Sequence, residues 1–440
     1  MASGLSNRLG ADVQIREGSW EGGTTFKFSG ITVRAIDLDG VPGEIANIET
    51  LVLTLNPGGI LGNEAIVQDV AVGPGVLRVA EHVVDGSDIN IARLFRNRGD
   101  PSRGGGRVQD EALPALPRSI IMNSILLETG RYSGDAFFLK GRMSLSGSVR
   151  PDPENMHEYQ LELQGSSDQT GIVAVSGTFD PNTPRLKATM SEGELSAAIL
   201  DFLPSMLSKK AEEMDLEGLI SNVKIDWEGG LVPRVQVDLR DVSLTLSDSL
   251  DLPDFWARYS NEQYQKSPDP PRMHVNTGSI LLEGTTLEFE NLQGTFTSVS
   301  DEKLAEIPFM LDMSLKDLPI EPMLEGEGFD QVSSSFPFTL ELQTDDFTLG
   351  EGVDTADIPL IVAQILAMFK VQTCTVSTRI RAERDAPANG IAGTLMYEGA
   401  LAIRRASGAY VGFPYPLAEL DADVEFNEST VFVRSLDARG

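Results

Sequence analysis

Two-residue alternation of apolar and polar side chains is the feature that most restricts what this chain can fold into. Successive side chains of an extended strand point to opposite faces, so apolar residues at every second position mark a strand with one buried face. The clearest run is Arg234-Val235-Gln236-Val237-Asp238-Leu239-Arg240-Asp241-Val242-Ser243-Leu244-Thr245-Leu246-Ser247, apolar at 235, 237 and 239 and again at 242, 244 and 246. Its phase slips once, at Arg240-Asp241, where a bulge or bend would keep both halves facing one side. Similar short strands read at Thr50–Leu55, Gln160–Gln164, Gly171–Val175, Thr286–Phe289, Thr339–Gln343, Ala422–Phe426 and Thr430–Val433. Turn residues separate them at Asn56-Pro57-Gly58-Gly59, Gly73-Pro74-Gly75, Asp180-Pro181-Asn182 and Glu228-Gly229-Gly230. Many short strands with tight turns predict a large, mostly meandering antiparallel sheet.

Helical spacing is rarer. Leu195, Ile199, Phe202, Leu203, Met206 and Leu207 follow it, with a kink or fresh start at Pro204. A second helix begins near Pro359 and runs through Ile361, Ile365, Leu366 and Phe369. Shorter candidates lie at Ile89–Phe95, with Asp88 as N-cap, and at Pro253–Gln263. The pentapeptide Ser124-Ile125-Leu126-Leu127-Glu128 recurs at Ser279-Ile280-Leu281-Leu282-Glu283, 155 residues on, and Leu203-Pro204 matches Ile358-Pro359 at the same step. Two anchors in one register favour a diverged duplication. An echo of Leu161-Glu162-Leu163-Gln164 at Leu340-Glu341-Leu342-Gln343 is 179 residues away and lies outside that register.

The division that follows is an N-terminal β unit at 1–95, a linker at 96–117, a first repeat at 118–272 and a second at 273–440. The linker contains the Gly- and Arg-rich run Arg96 to Arg107, which lacks apolar periodicity.

Composition excludes several classes. With 66 acidic against 35 basic residues and a net charge of -31, the chain lacks the clustered cations that nucleic acid requires. One cysteine, Cys374, supports neither a disulfide nor a cysteine-based zinc site, and reads as a buried small hydrophobe. The N-terminus has no signal-peptide h-region, and the longest apolar run, Ile358–Val371, is too short for a membrane helix and carries Gln364 and Lys370. His82, His157 and His274 are scattered and match no metal or catalytic spacing. Asp85-Gly86-Ser87-Asp88 lacks the carboxylate spacing of a calcium loop, and Asp37-Leu38-Asp39-Gly40 reads as a turn. Arg98-Gly99-Asp100 is a chance-level match to an adhesion tripeptide, and no glycine loop has a nucleotide-binding context. The chain is therefore expected not to be an enzyme and to need no cofactor or metal.

Two stretches resemble a known family. The first runs from Asn7-Arg8-Leu9-Gly10-Ala11-Asp12-Val13-Gln14-Ile15 through Phe28-Ser29-Gly30-Ile31-Thr32-Val33, Ile45–Leu55 and Ile66–Val72 to Val83-Val84-Asp85-Gly86-Ser87-Asp88-Ile89-Asn90-Ile91-Ala92-Arg93-Leu94-Phe95. The second comprises Tyr415–Leu420, Val424-Glu425-Phe426 and Val431–Leu436. Their order resembles AsmA-like envelope proteins of diderm bacteria, the group with TamB- and YhdP-like members. Family members usually begin with a membrane anchor, which is not found here, and this chain stops inside a strand series. A fragment of a longer protein is the expectation.

The resemblance implies a long curved antiparallel sheet forming a β-groove, with a few short capping helices. It implies a periplasmic protein anchored to the inner membrane in its full-length form, acting in lipid transfer between membranes or in outer-membrane assembly. The expected partner is phospholipid or another lipid, held by its acyl chains along an apolar face. Val235, Val237, Leu239, Val242, Leu244 and Leu246 are the candidates for a groove-facing row; a closed core is the other reading of the same row. The competing function is a structural or adhesive β-rich surface protein without lipid cargo.

Overall fold

The computed structural model describes residues 6, 11–58, 67–83, 88–93, 117–155, 158–167, 171–180, 185–195, 205–228, 233–246, 256–259, 264–266, 271–297, 306–318, 336–350, 357–387 and 393–439. The chain is mostly β, with a few short helices among the described residues. The Arg-rich linker and its Arg98-Gly99-Asp100, His157, Leu203-Pro204 and most of the Asp180-Pro181-Asn182 and Glu228-Gly229-Gly230 turns lie outside the described residues. The chain divides into two compact units, the first mainly 1–209 and the second mainly 234–440.

The first unit opens with a hairpin of β1 (Ala11–Gly22) and β2 (Thr25–Ala35), and β2 pairs antiparallel with β3 (Glu44–Leu55). The four-residue helix α1 (Gly40–Gly43) joins β2 to β3. Ala11, Val13, Ile31, Ala35 and Ile45 form a small buried cluster there. Strands β4 (Val67–Val72) and β5 (Gly75–His82) both pair with β3 and both run parallel to β6 (Ser119–Ser133). These two pairings are parallel, in a sheet whose other pairings among the described residues are antiparallel, as expected.

The sequence marks Gly73-Pro74-Gly75 as a turn, yet β4 and β5 continue one another along β3. Pro74 has no N–H to give the ladder. Gly73 instead donates to the Thr50 carbonyl (2.7 Å), and the Pro74 carbonyl accepts from Glu49 N–H (2.8 Å). The pairing is thus carried across the proline without a reversal. Because β6 runs parallel to β5, the connection between them must cross over, which explains its length.

From β6 onward the first unit is antiparallel through β7 (Ala136–Pro151), β8 (Tyr159–Ser167), β9 (Gly171–Asp180) and β10 (Arg185–Leu195). Helix α2 (Ser205–Glu213) and β11 (Glu217–Trp227) follow.

The second unit starts at β12 (Arg234–Thr245). Its antiparallel order continues through β15 (Arg272–Glu283), β16 (Thr286–Thr297), β17 (Ile307–Leu315) and β18 (Phe338–Thr344). Both β18 and β19 (Phe347–Leu349) pair with β21 (Thr373–Arg384), which is followed by β22 (Leu395–Tyr410), β23 (Phe413–Asn427) and β24 (Val431–Arg439). Strands β13 (Trp256–Tyr259), β14 (Tyr264–Lys266) and β20 (Asp357–Pro359) form a separate three-stranded sheet. Trp256–Tyr259 therefore corrects the helix expected at Pro253–Gln263: its spacing is helical, but pairing with β20 and β14 overrides it.

Helix α3 (Leu360–Met368) begins one residue after Pro359, as expected, and buries Val362, Ala363, Ile365 and Leu366. An apolar helix of this kind belongs to a core. Helices α2 and α3 are each nine residues long and lie 155 residues apart at both ends, the step read from the sequence. The repeated pentapeptide fits less well: it sits inside β6 but at the very end of β15.

Asp241 takes the left-handed φ of 50° that the phase slip in β12 calls for. Pairing with β15 keeps one register on either side of it, so β12 bends there and does not bulge against β15. True bulges occur at Asn291 in β16 and Arg405 in β22, with φ of 51° and 53°. In each, the N–H of the left-handed residue is accepted by an aspartate on the next strand, Asp312 or Asp421, at 2.7 Å.

Candidate functional site: an apolar ladder in the second unit

Directly paired residues of adjacent strands share a sheet face. Following the pairings outward from the candidate row gives rungs that cross most of the unit. One rung reads Val237–Ile280–Phe289–Met313–Leu340–Ala382–Tyr397, apolar in seven successive strands. Its neighbour reads Val235–Leu282–Leu287–Leu315–Phe338 and then meets Arg384, whose guanidinium lies 5.1 Å from the Phe338 ring centre. The opposite face carries the charges: Asp312, Glu341, Arg381 and Glu398 form one continuous polar rung.

Burial divides this apolar face. On the two rungs just named, every apolar side chain but Ala382, which is buried, is half-buried. Past the bend at Asp241 the face is closed: Val242, Val275, Phe296, Ile307, Phe309, Val376 and Ile403 are all buried. That end carries α3, whose exit is bonded to the end of β22 (Gln372 N–H to the Ser407 carbonyl, 2.7 Å; Ala409 N–H to the Phe369 carbonyl, 2.9 Å).

The six candidates are split by this division. Val235 and Val237 are half-buried on the open rungs. Leu239 is buried at the transition, while Val242 and Leu244 belong to the closed end. Leu246 is half-buried just beyond the end of β12. What the sequence missed is the rest of each rung, because strands paired in space are far apart in the chain.

Glycines let the strands come close along this face. Leu292 lies over Gly278, and Phe426 over Gly399. The first unit repeats the arrangement in β7 to β9, where Leu163 covers Gly147 and Met143 covers Gly165. There, apolar Leu161, Leu163, Val173 and Val175 are half-buried; the first two alternate with exposed Glu162 and Gln164, the last two with exposed Ile172, Ala174 and Ser176.

The described part of the segment that carries the family resemblance, Asp88–Arg93, forms a polar clamp. Asp88 does not cap the short 3-10 turn Asn90–Ala92, whose N-cap is Ile89 without a side-chain cap bond. Its carboxylate instead accepts from Arg93 and from the Tyr132 hydroxyl (2.7 Å). Asn90 is fully buried: it accepts Ala80 N–H (2.9 Å) and donates to the carbonyls of Pro42 (3.0 Å) and Arg78 (3.2 Å). Asn90→Ala removes all three bonds, and stranded buried partners cost about 1–3 kcal/mol each. A loss of about 3 kcal/mol is expected, read as a lower urea midpoint with an unchanged slope.

Cys374 is buried, as its sequence context suggests, and burial pushes its thiol up to about 12. Tyr132 is likewise pushed up to about 12, by burial first and then by its bond to Asp88. Both groups stay neutral in the fold while their unfolded counterparts ionise from about pH 9 upward. Their contribution is complete below that pH and is lost as pH rises toward 12. Stability is thus expected to fall between pH 9 and 12, and Cys374 to resist alkylation at pH 8 until the chain is unfolded; equilibrium unfolding and thiol labelling check these.

Among the described residues no group of three or more His, Cys, Asp or Glu side chains is placed to hold a metal ion. No helix among them is long and apolar enough to cross a membrane. No protein family, curated protein or solved structure matches the chain.

Proposed function

We propose that the chain binds lipid acyl chains along the half-buried rungs of its apolar face. On this reading it serves lipid transfer or outer-membrane assembly in a bacterial envelope, as a periplasmic part of a protein anchored to the inner membrane. The observation that carries the reading is the half-burial of a continuous apolar rung, since a face serving only as core is closed over its whole length. Six inter-strand spacings of about 4.8 Å give about 29 Å of apolar track, against about 15 Å for the acyl region of one leaflet. Each methylene removed from water contributes about 0.8 kcal/mol, so a chain lying half against such a track is held by several kcal/mol. The charged opposite rung keeps the other face in water.

The test is mass spectrometry of lipids extracted from the purified chain, beside a β-rich control protein purified in the same way. Lipid retained in near-stoichiometric amount supports the proposal. Retention at the control level, with no uptake of a fluorescent fatty acid, overturns it in favour of a structural or adhesive role.

A further inference from the structure

Acidic residues are spread through this chain, 66 in 440, but residues 358–382 and 399–418 contain none. These two stretches hold α3 and the tip half of the β22–β23 hairpin, which meet at one place: Val411 N–H, at the hairpin tip, donates to the Met368 carbonyl at the end of α3 (3.0 Å). Tyr410 packs its ring 5.4 Å from that of Phe369, in the same junction.

The junction is covered in exposed apolar side chains. Tyr415 is 65% exposed, Val411 60%, Tyr410 44% and Met368 36%. Lys370 beside them is exposed and makes no ion pair among the described residues. Three properties separate this patch from an ordinary stray surface hydrophobe. It sits on a hairpin tip. Its tip N–H groups at Ala409 and Val411 are already bonded to α3-exit carbonyls, so burial in an apolar phase strands neither of them. And it combines tyrosine with one free lysine and no acid, the composition favoured where an apolar interior meets phosphate headgroups.

We propose that this tip docks on a phospholipid bilayer surface, with Val411, Tyr410, Tyr415 and Met368 entering the headgroup region and Lys370 facing lipid phosphate. Lipid is the committed occupant because, in a chain of net -31, the two stretches that meet at this junction contain no acidic residue and place Lys370 beside the apolar side chains, which lowers the repulsion an anionic surface would exert. The docking does not depend on acyl-chain binding along the rungs, and the two are separable.

The experiment is flotation of the chain with vesicles of phosphatidylcholine alone and of phosphatidylcholine with phosphatidylglycerol. The unaltered chain is expected to float with both. Val411→Asp combined with Tyr415→Asp is expected to lower the bound fraction at least tenfold, and Lys370→Glu about threefold on the anionic vesicles alone. Ile172→Asp, at a position 68% exposed in the first unit, is expected to leave flotation unchanged. A direct readout stands beside these in case the double variant folds poorly: Val411→Trp fluorescence is quenched by brominated lipid, and Ile172→Trp fluorescence is not. Failure of the unaltered chain to float, or equal quenching of the two tryptophan variants, overturns the proposal. The double variant keeps its co-purified lipid if acyl binding also holds, so each proposal can fail without the other.

Discussion

Gly294→Ala is expected to destabilise the second unit by about 3 kcal/mol or more. A Cβ at this position would stand 1.9 Å from the His274 carbonyl oxygen and 2.9 Å from the Val275 Cα. Both are backbone atoms of β15, so no side chain can rotate away and the two strands must separate. Overpacking a core commonly costs about 1–3 kcal/mol, and a backbone clash on a closed rung belongs at or above the top of that range. For a unit of this size the melting temperature should drop by roughly 6–12 °C. Gly284, in the turn of the same β15–β16 hairpin, is the internal comparison. Nothing lies within 4 Å of a Cβ there, and the cost of Gly284→Ala is that of its φ of 60° alone, about 1–2 kcal/mol. Thermal melts of the two variants should rank them in that order; equal melts would mean that β15 and β16 are not in close contact at Gly294.

The second large effect separates the closed end from the open one within a single strand. Val242 is 1% exposed, and Val242→Asp places an unpaired carboxylate among Val275, Phe296 and their neighbours. The expected cost is about 4 kcal/mol or more, enough to unfold a marginal unit. Val237→Asp introduces the same group five residues earlier on the same face, where half-exposure allows hydration. Its cost in stability should stay near 1–2 kcal/mol. Lipid retention should respond in the other way: Val237→Asp sets a charge in the acyl track and is expected to abolish retention in a folded protein. Urea unfolding and lipid extraction on the two variants read both quantities. A Val237→Asp variant that folds and still retains lipid would remove the open rungs as the binding surface.

The strands were legible because alternation is a local property, and Val235 to Leu246 carries it in full. The bend at Asp241 was legible for the same reason, as a break in the count. Helix α3 announced itself through its apolar spacing after Pro359. What escaped was decided by partners distant in sequence. Trp256–Tyr259 became a strand because β14 and β20 flank it. The carboxylate of Asp88 went to Tyr132 and Arg93 in place of the helix terminus it precedes. The difference between Val237 and Val242 was invisible altogether: both are valines in the same alternating row, and only what lies over them differs.

The left-handed residue at Asp241 constrains how the length of this protein can change. Apolar side chains occupy odd positions before it and even positions after it, and β15 makes the matching switch between Val275 and Gly278. Losing Asp241 alone would restore strict alternation within β12, keep both halves on one face, and leave the strand one residue short against β15 on one side of the bend. The residue opposite, Asn276, would have to be lost together with it for the two strands to stay in step. Loss of Asp241 alone should therefore break the step between β12 and β15, and loss of both residues should restore that step.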